Sequence, residues 1–239
     1  MKFLDSPLSA PAECLAADET LLDRCESGGG GETLLFWEPR ETFVVVGYAN
    51  KLASEVNADA CRKRGIPVFR RCSGGGTVVQ MPGGLNYALV LKITPGGPTQ
   101  NITAANRFIM DRNRRALAAA TGQPVVVRGH TDLAIGDKKF AGNSQRRRRD
   151  YLLFHGTILL DGNLDLISEL LPMPSLKPDY RGNRSHLDFV MNLHVSAETV
   201  KAALQKEWNA QEALTDPPWE QITTLAREKY STDGWNHKF

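Results

Sequence analysis

Apolar positions recur along the chain with two periods. In residues 11–26, Leu15, Leu21 and Leu22 share one face of a helical projection, while Asp18, Glu19 and Asp23 fall outside it. Pro11 suits a first helical turn, so the run predicts a helix over 11–26 with those acidic side chains in solvent. Gly28 to Gly31 then interrupt the pattern as a surface loop, and no strand precedes them as a phosphate loop would require. Short alternating or continuous apolar runs predict strands at 33–37, 42–46, 68–71, 77–80, 85–92, 125–127, 132–135, 138–141 and 152–160, with Asp137 at a tight hairpin turn. Helical spacing is predicted over 54–64, 100–120, 164–171, 196–210 and 219–229, and the Pro- and polar-rich stretch 172–192 reads as a long excursion. The succession predicts a mixed α/β fold of the α+β type, with largely antiparallel sheets flanked by helices. The dinucleotide-binding βαβ fingerprint is missing.

Composition narrows the class. The chain has 239 residues, 41% hydrophobic and 23% charged, which fits one folded domain with an appendage rather than a disordered or fibrous chain. No apolar run is long enough for a membrane span, and the N-terminus lacks a secretory apolar segment, so a cytoplasmic protein is expected. Cys14, Cys25, Cys61 and Cys72 are scattered without a CxxC pair, which reads as reduced thiols. Net charge is only +2, but it is unevenly placed: −7 over residues 1–60, +10 over 61–128, +3 over 129–150 and −4 thereafter. A positive middle section can focus an anion in a cleft, or its charge can disperse on folding.

Three segments carry the candidate chemistry. Arg70-Arg71-Cys72-Ser73-Gly74-Gly75-Gly76-Thr77 combines a backbone able to approach a ligand with amides and arginines able to hold an anion. Taken alone it is equally a hairpin or bulge, and no Walker lysine follows. In Gly136-Asp137-Lys138-Lys139-Phe140-Ala141-Gly142, strand alternation turns Lys138 and Lys139 to opposite faces. Lys138 then goes with Phe140 and Lys139 with the small Ala141, so one lysine can enter a cleft and stabilise developing negative charge. His155 lies inside an apolar strand, where it either meets substrate or completes a buried network. Tyr48, Asn86, Thr131 and Asp132 stand near strand ends as possible cleft walls. The histidines lack zinc-site spacing. The basic run Arg146 to Arg149 suits solvent or an acidic protein partner, and without stacking aromatics or zinc-finger spacing nucleic acid is the least favoured partner.

Together these residues form a series that resembles the biotin/lipoate protein ligase catalytic family, on its lipoate side. The series is Ala17-Asp18-Glu19, Val46-Gly47-Tyr48, Glu55-Val56-Asn57, the RRCSGGG segment, Leu85-Asn86-Tyr87, Thr131-Asp132-Leu133, Lys138 to Gly142, and His155-Gly156-Thr157-Ile158-Leu159-Leu160. The resemblance implies a fold like class II aminoacyl-tRNA synthetase catalytic domains, occupying residues 1–195, with 196–239 as a short helical extension instead of a full accessory domain. It implies activation of lipoate or octanoate with ATP and Mg2+ carried on the nucleotide, then transfer from acyl-AMP to a lysine of a lipoyl carrier domain or glycine cleavage H-like protein. An accessory subunit can supply what the short extension lacks. Lys139 matches the family's catalytic lysine. Arg71, Ser73, Gly74, Gly75, Gly76, Thr77, Asn86, Thr131, Asp132, Gly142, His155 and Gly156 match positions around the acyl-adenylate. Two positions depart from the pattern: Gln80-Met81 replaces a common His-Asp, and Thr131 stands where many ligases have Asn. The rival activity is octanoyl transfer, which needs a placed thiol. Residues 124–137 contain no cysteine, nor does any position after Cys72, which alternation turns away from Arg71 and Ser73 as a structural thiol. A non-catalytic lipoyl-domain-binding partner is the remaining alternative.

Overall fold

Alternation on long central strands decides which side chains face which core. In the computed structural model, which describes residues 1–174 and 177–239, β1 (Lys2–Asp5) and α1 (Pro11–Glu26) precede β2 (Thr33–Trp37) and β3 (Phe43–Val46). Short helices α2 (Leu52–Glu55) and α3 (Ala58–Arg64) lead to β4 (Val68–Arg70), β5 (Val78–Gln80) and β6 (Gly84–Lys92). Helix α4 (Ile102–Thr121) is followed by β7 (Val125–Arg128), β8 (Asp132–Ile135), β9 (Lys138–Arg147) and β10 (Tyr151–Leu159). The chain continues through α5 (Asp165–Leu170), a 3-10 turn (Asp179–Arg181), α6 (His186–Phe189), α7 (Ala197–Glu207) and β11 (Glu212–Ala213). It finishes with α8 (Trp219–Leu225), a π-helical turn (Ala226–Tyr230) and α9 (Asp233–Asn236).

An eight-stranded sheet has the order β11-β1-β2-β6-β10-β9-β8-β7, and a three-stranded sheet the order β4-β3-β5. Pairing in the large sheet is antiparallel from β2 through β7, while β1 lies parallel to β2 and β11. The expected mixed, largely antiparallel α/β fold is thus the observed one. Leu34 and Phe36 of β2, with Leu85, Tyr87 and Leu89 of β6, face a core shared with α4 and α7. Leu35 and Trp37, with Ala88 and Val90, face a second core shared with α1, α8 and the π turn. A strand covered on both faces reads as a continuous apolar run, which is why 33–37 shows no alternation.

Tertiary packing overrides local pattern at several places. The predicted helix over 54–64 breaks in two, because Val56 is extended and Asn57 caps α3 by accepting from the Ala60 amide at 3.3 Å. Strand β9 runs to Arg147, beyond the predicted 138–141, because β10 pairs with it as far as Leu152↔Arg147. Strands β1 and β11 carry no sequence signal of their own. Asp18 and Glu19, expected in solvent, are buried: α1 packs on β10, where Asp18 meets His155, and the π turn covers Glu19. Glu19 is satisfied there by Lys229 Nζ at 2.6 Å and by the Tyr230 hydroxyl at 2.7 Å. Residues beyond 195 contribute to both cores through Val200, Leu204 and Trp208 on one side and Ile222, Ala226 and Tyr230 on the other. The excursion expected over 172–192 holds the 3-10 turn and α6, and its residues 175 and 176 lie outside the described residues. Among the described residues no helix is long and apolar enough to cross a membrane.

Candidate active site

A cavity of about 920 Å3 is lined by α1, the α1-facing side of the large sheet, the small sheet with its glycine-rich loop, and the 172–190 excursion. Strand register builds its floor. Thr157 pairs with Gly142 on one side and Asn86 on the other, and His155 pairs with Ser144, so these residues share one face. Gln80 Nε2 donates to Asn86 Oδ1 and to Thr157 Oγ1, both at 2.8 Å, and Asn86 Nδ2 returns a bond to Gln80 Oε1 at 2.9 Å. The polar trio is flanked by apolar walls that include Leu15, Trp37, Val45, Val79 and Leu159.

The loop after β4 separates its two arginines. Arg70 is fully buried outside the cavity, donating to the carbonyls of Gly47, Tyr48, Asn50, Trp235 and Asn236. Arg71 lines the cavity. Its Nε donates to Ser73 Oγ and the Gly74 carbonyl, each at 3.1 Å, and Nη2 donates to the carbonyls of Gly74 and Gly76 at 2.7 and 2.6 Å. No carboxylate lies within ion-pair distance of it among the described residues. Burial pulls its pKa down to about 10, so it stays cationic at neutral pH. The Gly74, Gly75 and Gly76 amides donate to no protein acceptor among the described residues. Gly75 sits at φ +86°, and a Cβ on Gly47 would run into the Gly75 carbonyl, so both glycines are needed for this close approach. A buried guanidinium with no ion-pair partner beside solvent-exposed amides has the chemistry to hold an anion.

Lys139 is a second cation on the cavity wall. Lys139 Nζ pairs with Asp132 Oδ1 at 2.7 Å, and Tyr180 donates its hydroxyl to Asp132 Oδ2 at 2.8 Å. Burial, then the Asp132 charge, push the Tyr180 hydroxyl above its ordinary pKa, which keeps it a donor. The expected alternation fails here. Strand β8 pairs Leu133 with Ala141 but Ala134 with Lys139, so β9 carries a bulge at Phe140. Phe140 and Ala141 consequently both enter the α4-side core, and Lys139 is aimed into the cavity independently of Ala141. Gly142 makes the room for its head: a Cβ there would stand 2.7 Å from Nζ. Lys138 is exposed.

Of the residues singled out from sequence, Lys139, Arg71, Gly75, Gly76, Thr77, Asn86, Thr131, Asp132, Gly142, His155 and Gly156 all line this cavity. Ser73 and Gly74 are not on its wall: Ser73 is buried beside Arg71, and Gly74 is exposed. Tyr48, expected as a cleft wall, lies outside among Trp235, Phe239 and Lys238. The basic run is largely tied down. Arg146 donates to the Cys72 carbonyl, Arg147 to the carbonyls of Thr99 and Gln100, and Arg148 to Asp23 and Glu19, which leaves Arg149 exposed. Cys72 packs in the α1-side core, where burial and then Glu19 and Asp18 raise its thiol to about 12. All four cysteines are free and buried. Sequence reasoning missed the chemical part of Asp18, which was visible only as a piece of the Ala17-Asp18-Glu19 series. It also missed Tyr180, which sits in the excursion and had no local signal.

Residues 10–209 match the model of the lipoyl protein ligase A/B catalytic domain. The chain belongs to this family. Lipoate-protein ligase A subunit 1 of Thermoplasma acidophilum is 29% identical over 93% of this chain and 90% of its own length. Octanoyltransferase LipM of Geobacillus kaustophilus is 25% identical over 99% of this chain and 98% of its own. A structure from an archaeal lipoylation system, a bi-partite lipoate protein ligase and its E2 lipoyl domain from Thermoplasma acidophilum, superposes with a TM-score of 0.80 at 26% identity, covering 99% of this chain and 95% of that one. Lipoate-protein ligase A bound with ATP gives 0.79 at 26% identity, with 99% of each chain covered. These relatives include both lipoate–protein ligases and an octanoyltransferase.

Proposed function

We propose that this protein is an ATP-dependent lipoate–protein ligase: it activates lipoate or octanoate as the acyl-adenylate and passes the acyl group to a lysine of a lipoyl carrier domain. The observation that carries the reading is the pairing of an apolar cavity with two separate cations, Arg71 and Lys139, and no cysteine among the described lining residues. An acyl-enzyme transferase needs a nucleophilic thiolate at the acyl carbonyl. Here Cys72 is buried in the α1-side core, off the cavity wall, as a protonated thiol. The apolar wall suits the acyl chain. Arg71 and the free amides of Gly75 and Gly76 suit the anionic head and α-phosphate, and Lys139, held by Asp132 and Gly142, stabilises the charge redistributed as pyrophosphate departs. Mg2+ would arrive with the nucleotide phosphates.

The relatives named above support an acyl carrier partner of the lipoyl-domain class and a second subunit beside this one. We read residues 1–195 as the catalytic unit and 196–239 as a helical extension that buttresses it, in a cytoplasmic protein. The deciding experiment supplies apo-carrier, MgATP and free lipoate or octanoate to the purified protein. Intact mass should show an acylated carrier, with a purified second subunit added if the protein alone only releases pyrophosphate. Faster octanoyl transfer from an octanoyl carrier protein without ATP would instead make the protein an octanoyltransferase.

A further inference from the structure

Three segments far apart in sequence meet in one hydrogen-bonded line behind Arg71. Asp18 Oδ2 lies 2.5 Å from His155 Nδ1, His155 Nε2 lies 2.5 Å from Ser73 Oγ, and Ser73 Oγ accepts from Arg71 Nε at 3.1 Å. Carboxylate on Nδ1 and hydroxyl on Nε2 is the order of a serine-hydrolase triad. Burial decides against a nucleophile. Ser73 is 1% exposed and is not on the cavity wall, and its Oγ already holds the guanidinium. Arg71 is the member of the line that combines a cationic head with a place on that wall. Its Nε and Nη2 are taken by Ser73 and loop carbonyls, and Nη1 alone has no acceptor among the described residues.

We propose that Asp18 and His155 are positioning residues that act through Ser73 to turn the unpaired edge of Arg71 toward the anionic head of the acyl substrate; this rests on the acid-activating reading above. Asp18 accepts from Nδ1, so Nε2 accepts the Ser73 hydroxyl proton, and the oxygen lone pairs of Ser73 are left facing Arg71 Nε. An asparagine at 18 can donate to Nδ1, which reverses the two bonds made by His155, so that Nε2 donates to Ser73 Oγ and competes with Arg71 Nε for its lone pairs. The sign of the effect separates positioning from plain electrostatics. Asp18 carries negative charge near Arg71, so removing that charge alone would tighten anion binding. Losing the orientation of Arg71 would weaken it.

The test is a cycle of Asp18→Asn, Ser73→Ala and the double variant in the full chain, with His155→Gln as a second entry into the line should Asp18→Asn fail to fold. Two readouts are taken: kcat and KM for lipoate in pyrophosphate release, and octanoate binding by calorimetry without ATP, with circular dichroism as the folding control. Each single variant should raise KM and the octanoate Kd about tenfold or more, with the smaller effect on kcat. The double variant should be no worse than Ser73→Ala, because residues acting as one unit are not additive. Unchanged or tighter octanoate binding in Asp18→Asn, additive losses, or an acyl ester on Ser73 by intact mass would each overturn the proposal. A wild-type protein that releases no pyrophosphate would sink the ligase reading, while the octanoate cycle still judges the relay.

Discussion

Lys138 and Lys139 are chain neighbours with opposite surroundings. Lys139 is paired with Asp132 over a gap kept open by Gly142, and Lys138 is exposed. A fixed cation that meets charge developing in the transition state typically contributes ~2.7–4 kcal/mol. Lys139→Ala should therefore slow adenylation by ~100-fold or more, and Lys138→Ala should leave it close to wild type. Pyrophosphate release from both variants, with circular dichroism alongside, checks the assignment. The opposite ranking would show that the wrong lysine has been placed in the site. Alternation pointed to a difference between the two lysines, but it attributed the free space to Ala141. A single bulge at Phe140 moved that role to Gly142, and no local sequence pattern announces a bulge.

Among the elements, the glycine-rich loop is the one whose shape depends on another segment. Gly47 ends β3 against the Gly75 carbonyl, and Asn50 Nδ2 donates to that carbonyl at 3.1 Å. Gly47→Ala forces the loop away, and overpacking of this kind costs roughly 1–3 kcal/mol where the neighbour is backbone. Weaker acyl-acid and ATP binding is expected, seen as raised KM values for both with a modest fall in melting temperature. Equal KM values at unchanged stability would mean that the loop tolerates displacement. Residues 52–57 also meet the loop, where Glu55 Oε2 accepts from Thr77 Oγ1 at 3.1 Å.

At the scale of the molecule, burial of thiols links stability to alkaline pH. Burial raises Cys14 and Cys72 from 9.0 to about 12 and Cys25 to about 11. Above about pH 9 the unfolded chain sheds these protons while the folded chain keeps them, so the folded state loses stability as pH rises toward the folded values. Thermal melts between about pH 9 and 11 should fall more steeply for the wild type than for a variant with alanine at all three positions. Parallel slopes would show that the thiols are not responsible. Exposed Arg128 and Lys138 near Lys139 would steer an acidic carrier. Its association should slow as salt rises, since the Debye length is only ~8 Å at 0.15 M. A salt-independent rate, or no change in Arg128→Ser, would remove that steering.

Helix 11–26, the central strands and the antiparallel hairpins were legible in the sequence because their periods reflect burial on one or two faces, a property each segment carries with it. The RRCSGGG, Lys138–Gly142 and His155–Thr157 segments were legible as chemistry for a similar reason, since their residue types sit within a few positions of one another. The partners of those segments were not. Asp18 looked solvent-facing until α1 packed on β10 and set it against His155, and Tyr180 met Asp132 only because the excursion folds back over β8. The Arg146–Arg149 run looked like a free basic patch until Cys72, Thr99 and Asp23 claimed three of its members. Local pattern, in physical terms, records which residues must leave water. Which distant polar groups they then meet depends on strand register and long-range closure, and only the tertiary structure holds that information.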